Sequence, residues 1–219
     1  MSISPFGGRR PTIAGCKHDR IAAKDPAKAR PDELQILLFP TPVDWERWLR
    51  AHHSDSPGVW LKIAKKGSAT PTVSYAEALD LAICHGWIDG QKRPHDDSFW
   101  LQRFTPRSPR SKWSQVNRQK ATDLRAQGRM HQAGLAQVTA AQADGRWEAA
   151  YEPQSRASVP PDLQEALDQN PVAREFFDTL TGSRRYAFLY RLHNVQAPAR
   201  RAHRIANYIE LLNERRTLN

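Results

Sequence analysis

The placement of tryptophan is the feature that most limits how this chain can fold. All seven tryptophans of the 219-residue sequence lie between Trp45 and Trp147, although the chain is polar overall, with a mean hydropathy of -0.71. Large aromatic side chains are stable when they are buried against other elements, and segments that stay unfolded contain few of them. The main packed unit is therefore expected between these two residues.

Composition divides the chain into three parts. Residues 1–33 are rich in Pro, Gly, Ala, Lys and Arg without periodicity, which predicts a flexible basic N-terminal arm. Residues 34–152 combine strand-like and helical patterns and are predicted to form the core domain. A Pro- and Ser-rich linker follows, and the rest of residues 153–219 has helical apolar spacing, which predicts a helical C-terminal extension.

Local signals within the core domain predict an α+β fold. Ser74 followed by Glu77 is the capping-box pattern of a helix start, and Gly86 is suited to end that helix in the left-handed conformation. The last two strand-like runs are separated by Pro-His-Asp-Asp, which predicts an antiparallel hairpin. The expected architecture is a small antiparallel sheet packed against helices, with the helical appendage behind it. The predicted strands are 34–39, 58–64, 87–93 and 98–104.

Charge adds a second constraint. The net charge is +10, and residues 92–120 hold eight Lys and Arg against two Asp, which makes this segment a candidate anion surface. A helix is predicted to start at Ser114, where hydroxyl and amide groups stand near Arg103 and Arg107. Backbone N–H groups at a helix start, together with hydroxyl and guanidinium groups, are suited to phosphate or carboxylate.

Cysteine usage and hydropathy limit the compartment. Cys16 and Cys84 stand far apart and neither belongs to a Cys-x-x-Cys pair, which is typical of a reduced environment. No apolar run has the length of a signal-sequence core or a membrane span. The sequence therefore predicts a cytoplasmic protein without membrane insertion. No metal or cofactor is expected, because the histidines do not stand at metal-ligand spacings.

Several uncommon short motifs also occur in one order between Phe39 and Tyr151. In these motifs the chain resembles the bacterial YdeI/OmpD-associated family, whose members are described as bacteriocin-protection proteins. The C-terminal helices resemble the extension that such proteins often carry. The resemblance implies a stress or envelope-protection role and supplies no reaction, cofactor or catalytic residue. The motifs are Val59-Trp-Leu, Lys65-Lys66, Ser74-Tyr-x-Glu77-Ala78, Gly86-Trp-Ile-Asp-Gly90, Phe104-Thr-Pro-Arg107, Ser111-Lys-Trp-Ser114, Asn117 and Gly128-Arg-Met130.

Charge and resemblance together predict one ligand site. Its ligand is expected to be an anionic small molecule that carries phosphate or carboxylate, or an anionic group of a protein partner. In the alternative, these residues have only structural roles: Trp87 lies in the core, Asp89 forms a structural ion pair and the cations lie on a solvated face. The residues expected to converge are Lys65, Trp87, Asp89, Arg103, Arg107, Ser111, Trp113, Ser114 and Asn117.

Two further functions stay open. In the first, the protein is an enzyme that acts on a phosphorylated small molecule with Asp89 as acid or base. A binding protein is favoured over it, because no second acid or nucleophile stands at a diagnostic spacing. In the second, cations interleaved with Trp100, Phe104 and Trp113 bind nucleic acid without sequence preference, although no known nucleic-acid-binding motif is present.

Overall fold

The structure is a computed structural model that describes residues 30–218. The predicted N-terminal arm lies outside the described residues except for its last four. Of these, Pro31–Glu33 form a short 3-10 helix, and the Pro31 carbonyl accepts a hydrogen bond from Trp60 Nε1 at 2.6 Å. The last residues of the predicted arm thus contain regular structure and contact Trp60. The strands and α-helices that follow are β1 Gln35–Leu37, α1 Pro42–His52, β2 Val59–Ala64, α2 Tyr75–Cys84, β3 Trp87–Pro94, β4 Phe99–Pro106, α3 Gln115–Ala126, α4 Gln132–Ala143, α5 Pro161–Asp168, α6 Pro171–Thr179, α7 Gly182–His193 and α8 Pro198–Asn213.

Four strands form one mixed sheet in the order β1-β2-β4-β3. Strands β3 and β4 form the predicted antiparallel hairpin, and β4 also pairs antiparallel with β2. Strand β1 pairs with β2 in parallel, because α1 lies between them in the sequence and returns the chain to the same end of the sheet. The α+β class is confirmed, with a mixed sheet where a wholly antiparallel one was predicted.

Helix α2 begins and ends where the sequence signals predict. The Glu77 N–H donates to Ser74 Oγ at 3.3 Å, and the Ser74 N–H donates to the Glu77 carboxylate at 2.9 Å, which completes a capping box. Gly86 then takes a φ of +78°, in the left-handed region that favours glycine. The turn leads directly into β3 and so fixes where Asp89 lies in the sheet.

Two large hydrophobic cores hold the described chain together, besides a small cluster of Leu34, Trp60 and Leu101. The larger lies between the sheet and helices α1 to α4, and includes the fully buried Trp45, Trp87 and Phe104. The smaller lies among helices α5 to α8, around Phe188 and Tyr208, whose rings meet edge to face at 4.9 Å. The cores fall on either side of residues 152/153, although that domain boundary itself stays a prediction.

Three imidazole rings meet where α2 ends. The ring centres of His53, His85 and His131 lie 5.0 to 5.9 Å apart. Within residues 30–218, however, no group of three His, Cys, Asp or Glu side chains is arranged to hold a metal ion. Burial lowers the pKa of His85, and the nearby His131 and His53 also lower it, whereas its Leu81 hydrogen bond and Glu46 raise it.

The lowered pKa of His85 predicts a loss of stability in mild acid. Unfolded histidine titrates near pH 6.5. Below about that pH the unfolded chain binds a proton more readily than the folded chain does, so the free energy of unfolding decreases as the pH is lowered. The free energy of unfolding, measured with urea, should drop more between pH 7 and pH 5.5 in the wild type than in His85→Asn. An equal drop in both proteins would contradict this assignment.

None of the described helices is long and apolar enough to cross a membrane.

Candidate functional site

Arg107 lies at the centre of the candidate site. It directly follows β4, and its backbone N–H donates to the Gly86 carbonyl at 3.0 Å, so the turn before β3 holds it in place. Its side chain is deeply buried, with 5% of the residue exposed, and Nη1 donates to the Lys112 carbonyl at 3.2 Å. Burial lowers the pKa of this guanidinium to about 10, although Asp89 and Tyr151 act in the opposite direction. The group therefore stays charged at neutral pH with little water around it.

Trp113 covers one face of this guanidinium. The Arg107 Cζ atom lies 3.5 Å from the centre of the Trp113 ring, and Trp147 contacts Trp113 edge to face at 4.9 Å. Three buried N–H donors in this pair find no hydrogen-bond acceptor in the described part of the chain: Arg107 Nε, Arg107 Nη2 and Trp113 Nε1. An unsatisfied buried donor costs roughly 1–3 kcal/mol, so an acceptor from outside residues 30–218 is expected here.

Asp89 supplies the nearby negative charge and is held by two neighbours. Its Oδ2 accepts a hydrogen bond from the Tyr75 hydroxyl at 2.8 Å, and its Oδ1 accepts one from Asn117 Nδ2 at 3.3 Å. Burial raises the pKa of Tyr75, and the Asp89 charge raises it further, so the phenol stays protonated and donates. The carboxylate is thus fixed by α2 on one side and α3 on the other.

The segment between β4 and α3 closes the site. The Ser108 N–H donates to Ser111 Oγ at 2.9 Å, and the Ser111 carbonyl accepts from Arg146 Nη1 at 2.9 Å. Ser114 caps α3, because its Oγ accepts from the Asn117 N–H at 3.1 Å. Ser111 therefore shapes the loop, whereas Ser114 and Asn117 stand at the helix start beside Asp89.

Tyr151 joins the site from the end of the core domain. Its N–H donates to the Trp113 carbonyl at 3.0 Å, and its own carbonyl accepts from the Gln115 N–H at 2.9 Å. Burial raises the pKa of the Tyr151 phenol, and the nearby charge of Asp89 acts in the same direction, while Arg107 lowers it. The backbone pairing thus places Tyr151 beside Trp113 and Ser114. We call the following residues the Arg107 cluster: Tyr75, Asp89, Arg107, Trp113, Ser114, Asn117 and Tyr151.

Lys65 and Arg103 are not brought into the Arg107 cluster. Lys65 lies beyond β2 at the hairpin turn, where its Nζ donates to the Asp96 carbonyl at 2.7 Å, whereas Asp89 pairs near the opposite end of β4. Arg103 pairs with Trp60, and this register places both side chains on the sheet face turned away from α2 and α3. Arg103 therefore lies within the sheet and Lys65 at its far end, whereas Arg107 lies beyond the end of β4.

Trp87 belongs to the core and does not line the site. It is 1% exposed, and its Nε1 donates to the His53 carbonyl at 3.0 Å. Its ring meets Trp45 and Trp48 edge to face. The structure thus agrees with the alternative of a purely structural role for Trp87. The contribution of Trp87 to the site is confined to fixing the strand that carries Asp89.

Tyr75 and Tyr151 are members of the cluster that the sequence reasoning missed. Tyr75 stands at the first position of α2. Its place in the apolar stripe of that helix predicts that its side chain is buried in the core. Tyr151 reaches the site through its backbone pairing with Ser114, and no local signal predicts a contact over that sequence distance. A search for aromatic hydroxyls at predicted helix starts would have found only the first.

The stacking that nucleic-acid binding requires is not supported by the placement of the aromatic rings. Phe104 is fully buried in the larger core, and Trp113 is 1% exposed beneath Arg107. Trp100 is half-buried, with Lys92 Nζ 5.0 Å from its ring centre. Bases can stack only on exposed ring faces, so two of the three predicted platforms are closed.

Fold and site together define an α+β core with a helical C-terminal part and a buried, partly unsatisfied arginine. Residues 156–215 match the model of the family described as "Bacteriocin-protection, YdeI or OmpD-Associated", which confirms the resemblance to that family over this part of the chain. Residues 37–137 match a different model, described as a domain of unknown function (DUF8412). The match thus falls on the C-terminal helices and not on the stretch from Phe39 to Tyr151. No curated protein and no solved structure matches the chain.

Proposed function

We propose that this protein binds a small anionic ligand, carrying a phosphate or carboxylate group, at the Arg107 cluster. The observation that carries the proposal is the group of three buried N–H donors on Arg107 and Trp113 that lack an acceptor among the described residues. Two of these donors belong to a charged guanidinium and the third to the indole stacked on it, so the partner we propose is rich in acceptors and negatively charged. The family description attached to residues 156–215 suggests a bacteriocin-protection role for such binding, and we propose a role in stress as the alternative.

A purely structural ion pair explains the cluster less well. No carboxylate oxygen of the described residues lies within 4.0 Å of the Arg107 nitrogens, although Asp89 is close enough to raise the pKa of Arg107. Both Asp89 oxygens instead accept hydrogen bonds from Tyr75 and Asn117. A buried ion pair is stabilising only when its geometry is close and its donors are satisfied, and neither condition holds here.

Calorimetric titration of the full-length protein with inorganic phosphate at low ionic strength tests the proposal. We expect saturable binding to the wild type and at least a roughly tenfold weaker affinity in Arg107→Met, because the lost charge-assisted hydrogen bonds contribute about 1.5–3 kcal/mol. Asp89→Asn should bind phosphate more tightly than the wild type, because it removes the nearest negative charge while keeping a side chain of the same shape.

The matched control is Arg110→Met, which removes the same charge from an exposed position in the same loop. It should bind phosphate within about twofold of the wild type, because an exposed charge is well screened. Equal weakening in both methionine variants would show that general surface charge attracts phosphate. An absence of binding to the wild type, for phosphate and for acetate, would reject the anion site.

A further inference from the structure

A cleft lined by tyrosines lies between the core domain and the C-terminal helices. Its volume is about 350 Å³, within the range of small-molecule sites, and its walls come from the segment after α4 and from α7. The rings of Tyr151 and Tyr190 meet edge to face at 4.9 Å, and Tyr186 packs against Tyr190 at 5.7 Å. Three aromatic side chains thus form one continuous wall.

The charged groups around this cleft are already engaged. The Arg201 guanidinium donates to Asp162 and to the Leu192 carbonyl, and the Glu152 carboxylate accepts from the Ser158 N–H at 3.1 Å. The Tyr186 hydroxyl donates to the Glu152 carbonyl at 2.7 Å, and burial raises the pKa of Tyr186 to about 12, so this phenol stays neutral. The cleft therefore offers ring faces and neutral polar groups, which suit a planar aromatic ring.

The cleft and the Arg107 cluster share a wall. Tyr151 belongs to both, since it lines the cleft and its backbone N–H donates to the carbonyl of Trp113, the residue that covers Arg107. Lys112 connects them a second time. Its carbonyl accepts from Arg107 Nη1, while its Nζ lies 5.7 Å from the Tyr190 ring centre and donates to Asn194 Oδ1. The Lys112 charge next to the cleft thus lies on the side where Arg107 stands.

We propose that the ligand is an aromatic compound with one anionic group, whose ring lies in the tyrosine cleft and whose phosphate or carboxylate points to Arg107. This inference rests on the proposed function and adds the chemical class of the ligand. The cleft takes residues from both matched parts of the chain, Gln115 from the first and Tyr190 from the second, so neither part forms it alone. The two parts would act as one binding unit.

The test compares inorganic phosphate with two aromatic phosphates, phenyl phosphate and adenosine monophosphate, by calorimetry on the full-length protein. The two aromatic probes differ in the distance between ring and phosphate, and at least one should bind about tenfold more tightly than inorganic phosphate, since ring stacking contributes roughly 1–3 kcal/mol. Tyr190→Ala should reduce this gain to less than about threefold, whereas Tyr190→Phe, which keeps the ring, should retain it.

A second variant guards against poor folding of Tyr190→Ala. Ser158 is an exposed residue at the cleft, so Ser158→Trp should fill the cleft, remove the gain from the ring and leave binding of inorganic phosphate unchanged. The inference is overturned if inorganic phosphate binds through Arg107 but neither aromatic phosphate binds more tightly, or if the gain survives in both variants. If inorganic phosphate does not bind at all, the proposed function fails first.

Discussion

Replacing Gly134 with alanine should destabilise this protein by about 3 kcal/mol, because helix α4 meets the end of α2 backbone to backbone at that residue. A methyl group at Gly134 would meet the Ile83 carbonyl oxygen at 2.7 Å and the Cys84 carbonyl oxygen closer still. The His131 N–H also donates to the Cys84 carbonyl at 3.0 Å, so α4 cannot move away without losing that bond. Alanine stabilises a helix by about 1 kcal/mol relative to glycine, so the measured loss is the cost of the clash minus this gain.

Urea unfolding of the Gly134 variant is best compared with Gly128→Ala, the same substitution in a different setting. Gly128 has a φ of +69°, and a methyl group added there meets nothing within 4 Å. The Gly128→Ala variant should therefore lose only about 1 kcal/mol of its free energy of unfolding, from backbone strain alone. If the two variants lose the same free energy of unfolding, the close approach of α4 to α2 is not tight in solution.

The elements that the sequence predicts correctly are those with local signals at their ends. The Ser74 and Glu77 capping box, the left-handed Gly86 and the Ser114 cap each act within one helical turn, so they can be recognised without knowing the fold. The direction of β1 is different, because it depends on how α1 crosses the sheet. A parallel pairing of this kind has no local signal in so short a strand.

The candidate site is only partly predictable for the same reason. Asp89, Arg107 and Trp113 fall together because the hairpin and the loop after it are close in sequence. Arg103 looks equivalent to Arg107 in sequence, yet it lies within β4 opposite Trp60, whereas Arg107 lies beyond the end of β4, where the chain has left the sheet. Tyr151 enters through its pairing with Ser114, which the fold alone determines. Composition identified the basic segment, and the position of the end of β4 decided which of its cations is buried.

A residue retained for binding can lower the stability of the free protein, and Arg107 has the features of such a residue. Its charge is buried, two of its nitrogens have no acceptor among residues 30–218, and burial lowers its pKa to about 10. Replacing a poorly satisfied buried charge by an apolar side chain of similar size is often stabilising by about 1–4 kcal/mol. Methionine would also keep contact with the Trp113 ring through its sulfur.

Without phosphate, Arg107→Met should therefore raise the free energy of unfolding by about 2 kcal/mol, although it removes the cation–π contact and the bond to the Lys112 carbonyl. Urea unfolding at neutral pH measures the change, and the exposed Arg110→Met should stay within about 0.5 kcal/mol of the wild type. Saturating phosphate should then stabilise the wild type and Arg110→Met by about 1 kcal/mol or more beyond any stabilisation of Arg107→Met, because stabilisation follows the affinity of the ligand for the folded state. A structural role makes the opposite prediction, since breaking a required buried pair costs about 3–5 kcal/mol. The sign of the change in the phosphate-free protein therefore separates an arginine kept for a ligand from one kept for the fold.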